Sequence, residues 1–594
     1  MSGPDHDIDP DGASPWLLGA RYEATLAPSA RSAGAHFTPA DVAARLCSLV
    51  LPSEPVTVAG PTGSAVGGGG GRRGGSLLRV WDPACGGGVF LLAAADALLA
   101  AGGRPDEIVS EQVWGTDVDA GAVAVAEAAL CWWAAQHGVD ASPGDHLAVA
   151  DALLDDPSPG HRGPLARGAR ARFDVVVGNP PFQGQLAGSS VRTTATTAAL
   201  RARWGSDVVG PYTDTASLFL VAGGRALAPG GRLVMILPTS VLSARDAAGA
   251  RAAAADVAPL TGLWVATEAV FGASVDVCAV VLERPGPGGA VGASTTFGTA
   301  RPASTTLPVV RRWKGRALDE LPPATVGSLA GRTRSMERGG AWSGHALVAL
   351  GVPDPPFRSV GLLGSIATAR AGFRDEYYGL VGHVGEATRP DSGGGVGVAT
   401  SSEDLSATEL PLVTSGLIDP GRCAWGERSA RFARQRYQRP VVDLASLRAA
   451  GGRAAAWVES LIVPKVVVAT QTRVGEAAVD EAGRWVASTP TIAVLADPDR
   501  LWEVAAVICS PVGTIAALAA TAGAGLGSGA IRHGVASIVG LPLPVDAEAW
   551  SAGAAALHRL DRPAFLAAMS AAYGVAPTDE VDEWWIARAP WSGA

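Results

Sequence analysis

Lysine is almost missing. The 594 residues contain only Lys314 and Lys465, and nearly all basic charge is arginine. Charged residues make up 17% of the chain and the net charge is −9. That balance excludes a protein coated all over in basic surface, though it leaves room for a local basic face. Residues 301–480 hold 22 basic and 17 acidic side chains, a balance of +5, so the rest of the chain stands at −14. The six cysteines (Cys47, Cys85, Cys131, Cys278, Cys423, Cys509) are scattered with no Cys-x-x-Cys pair. This argues against a zinc site and a disulfide framework, and fits a reducing cytoplasm. The first ten residues carry several aspartates and no apolar core, unlike a signal peptide. No stretch of some twenty apolar residues reads as a membrane span. Val504–Leu526 comes nearest, and its Ala, Gly and Thr content suits a packed helix pair better.

What is present is apolar material, 48% of residues, in a chain too long for one core. Residues 1–30 read as a poorly ordered lead-in. Thr38-Pro39 opens a helix over residues 40–51, and the Gly-rich stretch from Gly60 to Gly75 reads as a flexible loop without the GK[ST] ending of a phosphate loop. From residue 77 a βα rhythm sets in. Strands are expected over Leu77–Trp81, Val113–Asp117, Leu147–Ala150, Phe173–Gly178 and Arg232–Leu237. Helices are expected over Val89–Ala101, Ala120–Gln136 and Thr215–Leu227. Short apolar strands alternating with helices predict a parallel sheet covered on both faces. Leu263–Thr267 and Val275–Glu283 predict a closing hairpin at the sheet edge. Residues 286–354 read as a connector. Residues 355–594 read as a separate mixed α+β domain.

Four places carry chemistry. Asp82-Pro83-Ala84-Cys85-Gly86-Gly87-Gly88 follows the first strand, where glycines let backbone approach a ligand at the carboxyl edge of a parallel sheet. Asp117 ends the next strand, positioned to accept hydrogen bonds from ribose hydroxyls, and Asp151 ends the third, where it reads equally as a helix N-cap. Asn179-Pro180-Pro181-Phe182 ends an unbroken apolar strand. Its prolines remove two amide donors. The Asn179 side-chain oxygen and the Pro180 carbonyl can therefore aim at one NH₂ group, with Phe182 offering a flat face to a base.

With these motifs in place, the sequence resembles the amino-methylating S-adenosylmethionine-dependent DNA methyltransferases, in the gamma motif order with a C-terminal target-recognition domain. Gly34 to Pro39 resembles the family's N-terminal cofactor motif, Asp82 to Gly88 its glycine motif, and Asn179 to Phe182 its catalytic tetrapeptide. The resemblance implies an N6-adenine enzyme of the stand-alone or restriction-modification type. Its fold would be a class I methyltransferase domain, Rossmann-like and doubly wound, over residues 31–285. S-adenosyl-L-methionine would be held by Thr38, Pro39, Asp82, Pro83, Ala84, Gly86, Asp117, Asp151 and Asn179. Phe182 and Phe271 would stack on an adenine flipped out of double-stranded DNA. Phe271 reads equally as hairpin core.

Residues 355–594 would read the DNA sequence, through Arg428, Arg431, Arg434 and Arg436, with Lys465 and Arg473 flanking a strand and holding phosphates. The bland alternative for the arginine cluster is a solvated helix. Neither lysine follows a carboxylate two residues earlier, so no nuclease activity is expected, and no metal. Partner proteins would be restriction or defence components; no membrane partner is implied. RNA or glutamine N-methylation, cytosine N4 methylation, and DNA binding without catalysis remain as alternative readings.

Overall fold

The computed structural model describes residues 14–25, 38–52, 58–59, 65–66, 72–73, 76–155, 172–182, 192–271, 276–286, 309–330, 340–372, 374–390, 396–398, 405–521, 530–576 and 579–591. The motif residues 34–37 and most of the Gly-rich stretch lie outside them. The chain divides into two compact units. The first holds Met1–Ala324 and Thr333–Ala349, and the second Thr325–Arg332 and Leu350–Ala594.

The first unit is built on a nine-stranded sheet. Its strands are β1 (Val80–Asp82), β2 (Val113–Asp117), β3 (Leu147–Val149), β4 (Phe173–Gly178), β5 (Leu227–Pro238), β6 (Leu260–Val265), β7 (Val277–Glu283), β8 (Arg311–Lys314) and β9 (Asp319–Leu321). They lie in the order β9-β8-β6-β7-β5-β4-β1-β2-β3. Neighbours from β3 through β5 are parallel, while β7 enters antiparallel between β5 and β6. The seven strands from β3 to β6, with β7 alone reversed among them, have the order of the class I S-adenosylmethionine-dependent methyltransferase fold, as the resemblance implies, and β8 and an antiparallel β9 extend the sheet beyond β6. Strand order turns back on itself between β1 and β4, which opens a crevice at their carboxyl ends.

The apolar sequences of the central strands follow from burial on both faces. Val175, Val176, Val177, Val234 and Ile236 are at most 1% exposed. The longer described helices of this unit are α1 (Pro15–Thr25), α2 (Ala40–Ser48), α3 (Val89–Ala100), α4 (Ala120–Gln136), α5 (Thr194–Trp204), α6 (Thr215–Ala226) and α7 (Ala248–Val257).

Two expectations need correction. The lead-in holds a helix, α1, with Pro15 at its first turn and Trp16 and Leu18 packed on the core. The β6–β7 pair is not the sheet edge, because Arg311–Lys314 from the expected connector pairs in parallel with β6 and then with β9. Trp313 supplies the apolar contact that holds it there, 5% exposed in the same core.

The second unit is mixed α+β. One four-stranded sheet runs β10-β19-β16-β17 and another β11-β15-β12-β18. These are β10 (Ala367–Ala371), β11 (Val384–Glu386), β12 (Glu409–Val413), β15 (Pro440–Asp443), β16 (Lys465–Val468), β17 (Ala477–Asp480), β18 (Val486–Ala487) and β19 (Ile492–Ala496). Strands β13 (Ala430–Phe432) and β14 (Gln435–Tyr437) form a separate hairpin. The apolar stretch singled out near residue 504 is a buried helix pair, Leu501–Cys509 and Pro511–Thr521, bent by 63°. Among the described residues no single helix is long and apolar enough to cross a membrane.

Candidate active site

Three adjacent parallel strands, β2, β1 and β4, deliver Asp117, Asp82 and Asn179 to one edge of the sheet. Asp82 is 1% exposed, and its Oδ1 accepts from the Ala84 N–H at 3.0 Å. Burial pushes its carboxyl up to about 8, and the nearby Asp117 charge adds to the rise. Residue 178 must be glycine here, since a Cβ would stand 2.7 Å from Asp82 Oδ1. Asp117 is half-buried. Its Oδ2 accepts from Gly86 N–H at 2.9 Å and its Oδ1 from Asp119 N–H at 3.0 Å. Burial raises this carboxyl too, against the pull of those amides. Gly88 holds φ +87°, which ends the loop and starts α3, and a Cβ there would press on Ala126 of α4 at 3.1 Å.

Thr38, 3% exposed, lies against this edge from the start of α2. Asn179 Nδ2 donates to Thr38 Oγ1 at 3.0 Å, across 141 residues of sequence. One amide N–H is thereby engaged by Thr38, and Oδ1 is the end of the amide with the chemistry to accept from a substrate N–H. Pro180 is buried and Phe182 half-buried. The rings of Phe182 and Phe271 meet edge to face, centroids 6.2 Å apart and 69° between planes. Phe271 is only 7% exposed and sits in the core, so it braces Phe182 as well as facing the same region. Asp151 uses one carboxylate oxygen as a turn cap, accepting from Leu153 N–H at 2.8 Å and Leu154 N–H at 3.2 Å. The cap reading of this residue therefore describes at least half of its carboxylate.

The cleft fits a nucleoside with a cationic tail. Two carboxylates stand at adjacent strand ends, the Asn179 amide is fixed beside them, and Gly86 holds φ +50° with open space where a side chain would point. Among the described residues no three His, Cys, Asp or Glu side chains converge as a metal site.

In the second unit the expected DNA-facing residues separate into two groups. Arg431, Arg434 and Arg436 are exposed on the β13–β14 hairpin, not on a helix. Arg431 and Arg436 are direct cross-strand partners. Ala433 and Arg434 form the turn with φ +49° and +67°, strained for side-chain-bearing residues, and Tyr377 Oη accepts the Ala433 N–H at 3.0 Å. Arg473 is exposed as well.

Lys465 is a correction. It is fully buried, and its Nζ donates to Asp480 Oδ2 at 2.5 Å, so it cannot meet a phosphate. Arg428 is committed too, gripping Asp419 with two bonds of 3.1 and 2.7 Å and donating to the Gly416 carbonyl.

Sequence reasoning missed Tyr22, whose hydroxyl donates to Asp119 Oδ2 at 2.8 Å beside Asp117. The available signal was Ser14-Pro15 followed by the apolar Trp16, Leu17 and Leu18, a helix start.

Residues 14–287 match the sequence profile of the family described as N-6 DNA Methylase. No curated protein matches the chain. Among solved structures, one similar to it is a modification subunit assigned to a type I restriction enzyme from Vibrio vulnificus YJ016. That pair is 18% identical with a TM-score of 0.33, covering 50% of this chain and 51% of the other. The chain thus spans about half the length of that protein. Another is the type IIG restriction endonuclease BpuSI, 11% identical with a TM-score of 0.40, covering 97% of this chain and 68% of that one. A third is a Listeria monocytogenes protein assigned as a class I S-adenosylmethionine-dependent methyltransferase, 14% identical with a TM-score of 0.31, covering 52% of this chain and 76% of the other.

Proposed function

We propose that this chain, whose residues 14–287 belong to the N-6 DNA methylase family, is a site-specific DNA methyltransferase acting on the N6 amine of adenine. The observation that carries the reading is the meeting of Asp82, Asp117 and the Thr38-held Asn179 at one sheet edge, with Phe182 alongside. S-adenosylmethionine, when bound, would supply a methyl group from a cationic sulfur, with the C–S bonding pair staying on sulfur and the neutral thioether S-adenosylhomocysteine as the leaving group. Asp117 would accept from its ribose hydroxyls, Asp151 would hold its adenine amine, and the backbone of residues 82–86 would line its site with Thr38 and Pro39.

Asn179 Oδ1 and the Pro180 carbonyl accept the two N–H bonds of the target amine. This aims the nitrogen lone pair into the cleft. As the amine gains positive charge during transfer, the same two acceptors stabilise it, and the extra proton then leaves to water. Phe182, braced by Phe271, stacks on the base, which must leave the duplex to reach the site. The aromatic at position 182 favours adenine over cytosine.

The second unit supplies sequence recognition, with Arg431, Arg434, Arg436 and Arg473 as its DNA-facing side chains. The chain cuts no DNA itself, and its partners are restriction or defence proteins. The test is incubation with plasmid, magnesium and S-adenosylmethionine, followed by sequencing for N6-methyladenine. One shared methylated motif and intact plasmid are expected, with Asn179→Ala inactive yet still binding cofactor. Near-normal turnover in Asn179→Ala, or cleavage of the plasmid, would overturn the corresponding part.

A further inference from the structure

Helix α1 crosses both loops that form the cofactor cleft. At Gly19 its backbone lies directly on Gly87 of the glycine loop, so closely that a Cβ on Gly87 would stand 2.4 Å from Gly19 Cα. One turn later the Tyr22 ring lies over Gly121 at the start of α4, where a Cβ would fall 2.2 Å from Tyr22 Oη. That hydroxyl donates to Asp119 Oδ2 at 2.8 Å. The other Asp119 oxygen caps α4 through Gly121 N–H at 2.9 Å, and the Asp119 backbone N–H donates to Asp117 Oδ1. Asp117 closes the circuit by accepting from Gly86 N–H in the glycine loop. A continuous chain of hydrogen bonds therefore runs from α1 through the acid turn after β2 to the loop after β1.

We infer that α1 is a wall of the cofactor site and that Tyr22 is a positioning residue, setting Asp117 through Asp119. The inference rests on the methyltransferase reading above. The physical reason is that Asp119 and Asp117 are neighbouring carboxylates, and each raises the cost of fixing the other in a cleft. A neutral hydroxyl donor from outside the turn offsets that cost and fixes the Asp119 rotamer. The hydrogen bond to Asp119 also pushes the Tyr22 hydroxyl above its ordinary value, so it stays a donor across the working range. The two glycines remove side chains from a place where helix and loop backbones approach closely. Cofactor binding and the docking of α1 are then linked, each favouring the other by the same factor.

The experiment uses the full chain with S-adenosylmethionine and S-adenosylhomocysteine as probes. Tyr22→Phe keeps the ring and removes only the donor. Its cofactor affinity should fall about fivefold, a loss in the range of one hydrogen bond. The turnover rate at saturating cofactor, the DNA affinity and the melting temperature without ligand should stay near wild type. Tyr22→Phe combined with Asp119→Asn should be no weaker than the weaker single variant. Gly19→Val should cost more than Tyr22→Phe, since a side chain there presses on Gly87, whose Cα lies 3.3 Å from where the Cβ would sit.

Hydrogen exchange gives a readout apart from activity, and S-adenosylhomocysteine should slow exchange of the α1 amides in wild type and less so in Tyr22→Phe. Wild-type affinity in Tyr22→Phe with unchanged α1 protection would overturn the inference. A lowered melting temperature with unaltered cofactor affinity would overturn it as well, by marking the contact as structural only. If the wild-type chain binds neither probe, the methyltransferase reading itself fails.

Discussion

Asn179 Nδ2 and Thr38 Oγ1 lie 3.0 Å apart, joining the loop after β4 to the segment that leads into α2. An amide side chain has two nearly isosteric ends, and only one of them accepts. In this arrangement the Thr38 hydroxyl accepts from the donor end, and the acceptor end of the amide is the one turned away from Thr38.

Thr38→Val should therefore act on the chemical step. With no acceptor at position 38 the Asn179 amide is free to present NH₂ toward the target amine, where two donors oppose each other. A drop of about tenfold in turnover at saturating cofactor is expected, in line with a lost buried hydrogen bond of roughly 1.4 kcal/mol. Thr38→Ser should restore most of it. Steady-state kinetics with both substrates varied would check this. A change confined to the cofactor KM would assign Thr38 to cofactor binding alone.

Asp117→Ala should weaken cofactor binding by about tenfold or more while leaving DNA affinity nearly unchanged. A carboxylate accepting from two ribose hydroxyls is worth roughly 1.5–3 kcal/mol. Calorimetry with S-adenosylhomocysteine measures it directly. Unchanged affinity would shift the ribose role to Asp119.

The first unit was legible because its strands are apolar runs that end in polar, motif-bearing residues. Asp174 to Phe182 states strand, exit and acceptors in nine residues, and Asp82 and Asp117 close their strands in the same way. The misreadings share a cause, which is that a charged residue's partner is set by tertiary pairing. Lys465 and Asp480 are 15 residues apart yet are register partners on β16 and β17, and the pairing buries both. Arg428 likewise finds Asp419. Helix α1 had a start signal in Ser14-Pro15 and the apolar Trp16, Leu17 and Leu18, but its contact with the glycine loop is made by Gly19 on Gly87, and a glycine pair carries no side-chain pattern that a sequence could show. The β13–β14 hairpin turns on Ala433-Arg434, without the Asn-Gly or Asp-Gly that marks such turns.

Stability of the second unit should fall as pH rises toward 9. Burial lifts the Glu476 carboxyl to about 8 from its ordinary 4.5, and Asp419 adds to the rise while Arg428 opposes it. The folded protein then holds a proton that the unfolded chain has released between those two values. The stabilisation is fully present below the lower value and is lost as pH climbs through the upper. Glu476→Gln should remove this dependence, melting close to wild type at pH 5 and above it at pH 9. Thermal unfolding of both proteins at the two pH values checks the sign, and parallel pH profiles would contradict it.

Arg431 and Arg436 stand directly opposite each other on an exposed hairpin face, an arrangement that costs stability when no anion lies between them. The turn beside them adds backbone strain at Ala433 and Arg434. A surface that carries both penalties is expected to recover them on binding a polyanion. Arg431→Ala and Arg436→Ala should therefore each weaken DNA binding, and should raise the melting temperature of the free protein slightly or leave it unchanged. The salt dependence separates two roles. Loss of a phosphate contact flattens the slope of log affinity against log salt by about one and weakens all sequences alike. Loss of a base contact leaves the methylated motif relaxed at one position, at about 1–3 kcal/mol of discrimination. Binding titrations at several salt concentrations, paired with sequencing of N6-methyladenine sites for each variant, distinguish the two. Variants with wild-type affinity, slope and motif would remove the hairpin from the DNA interface.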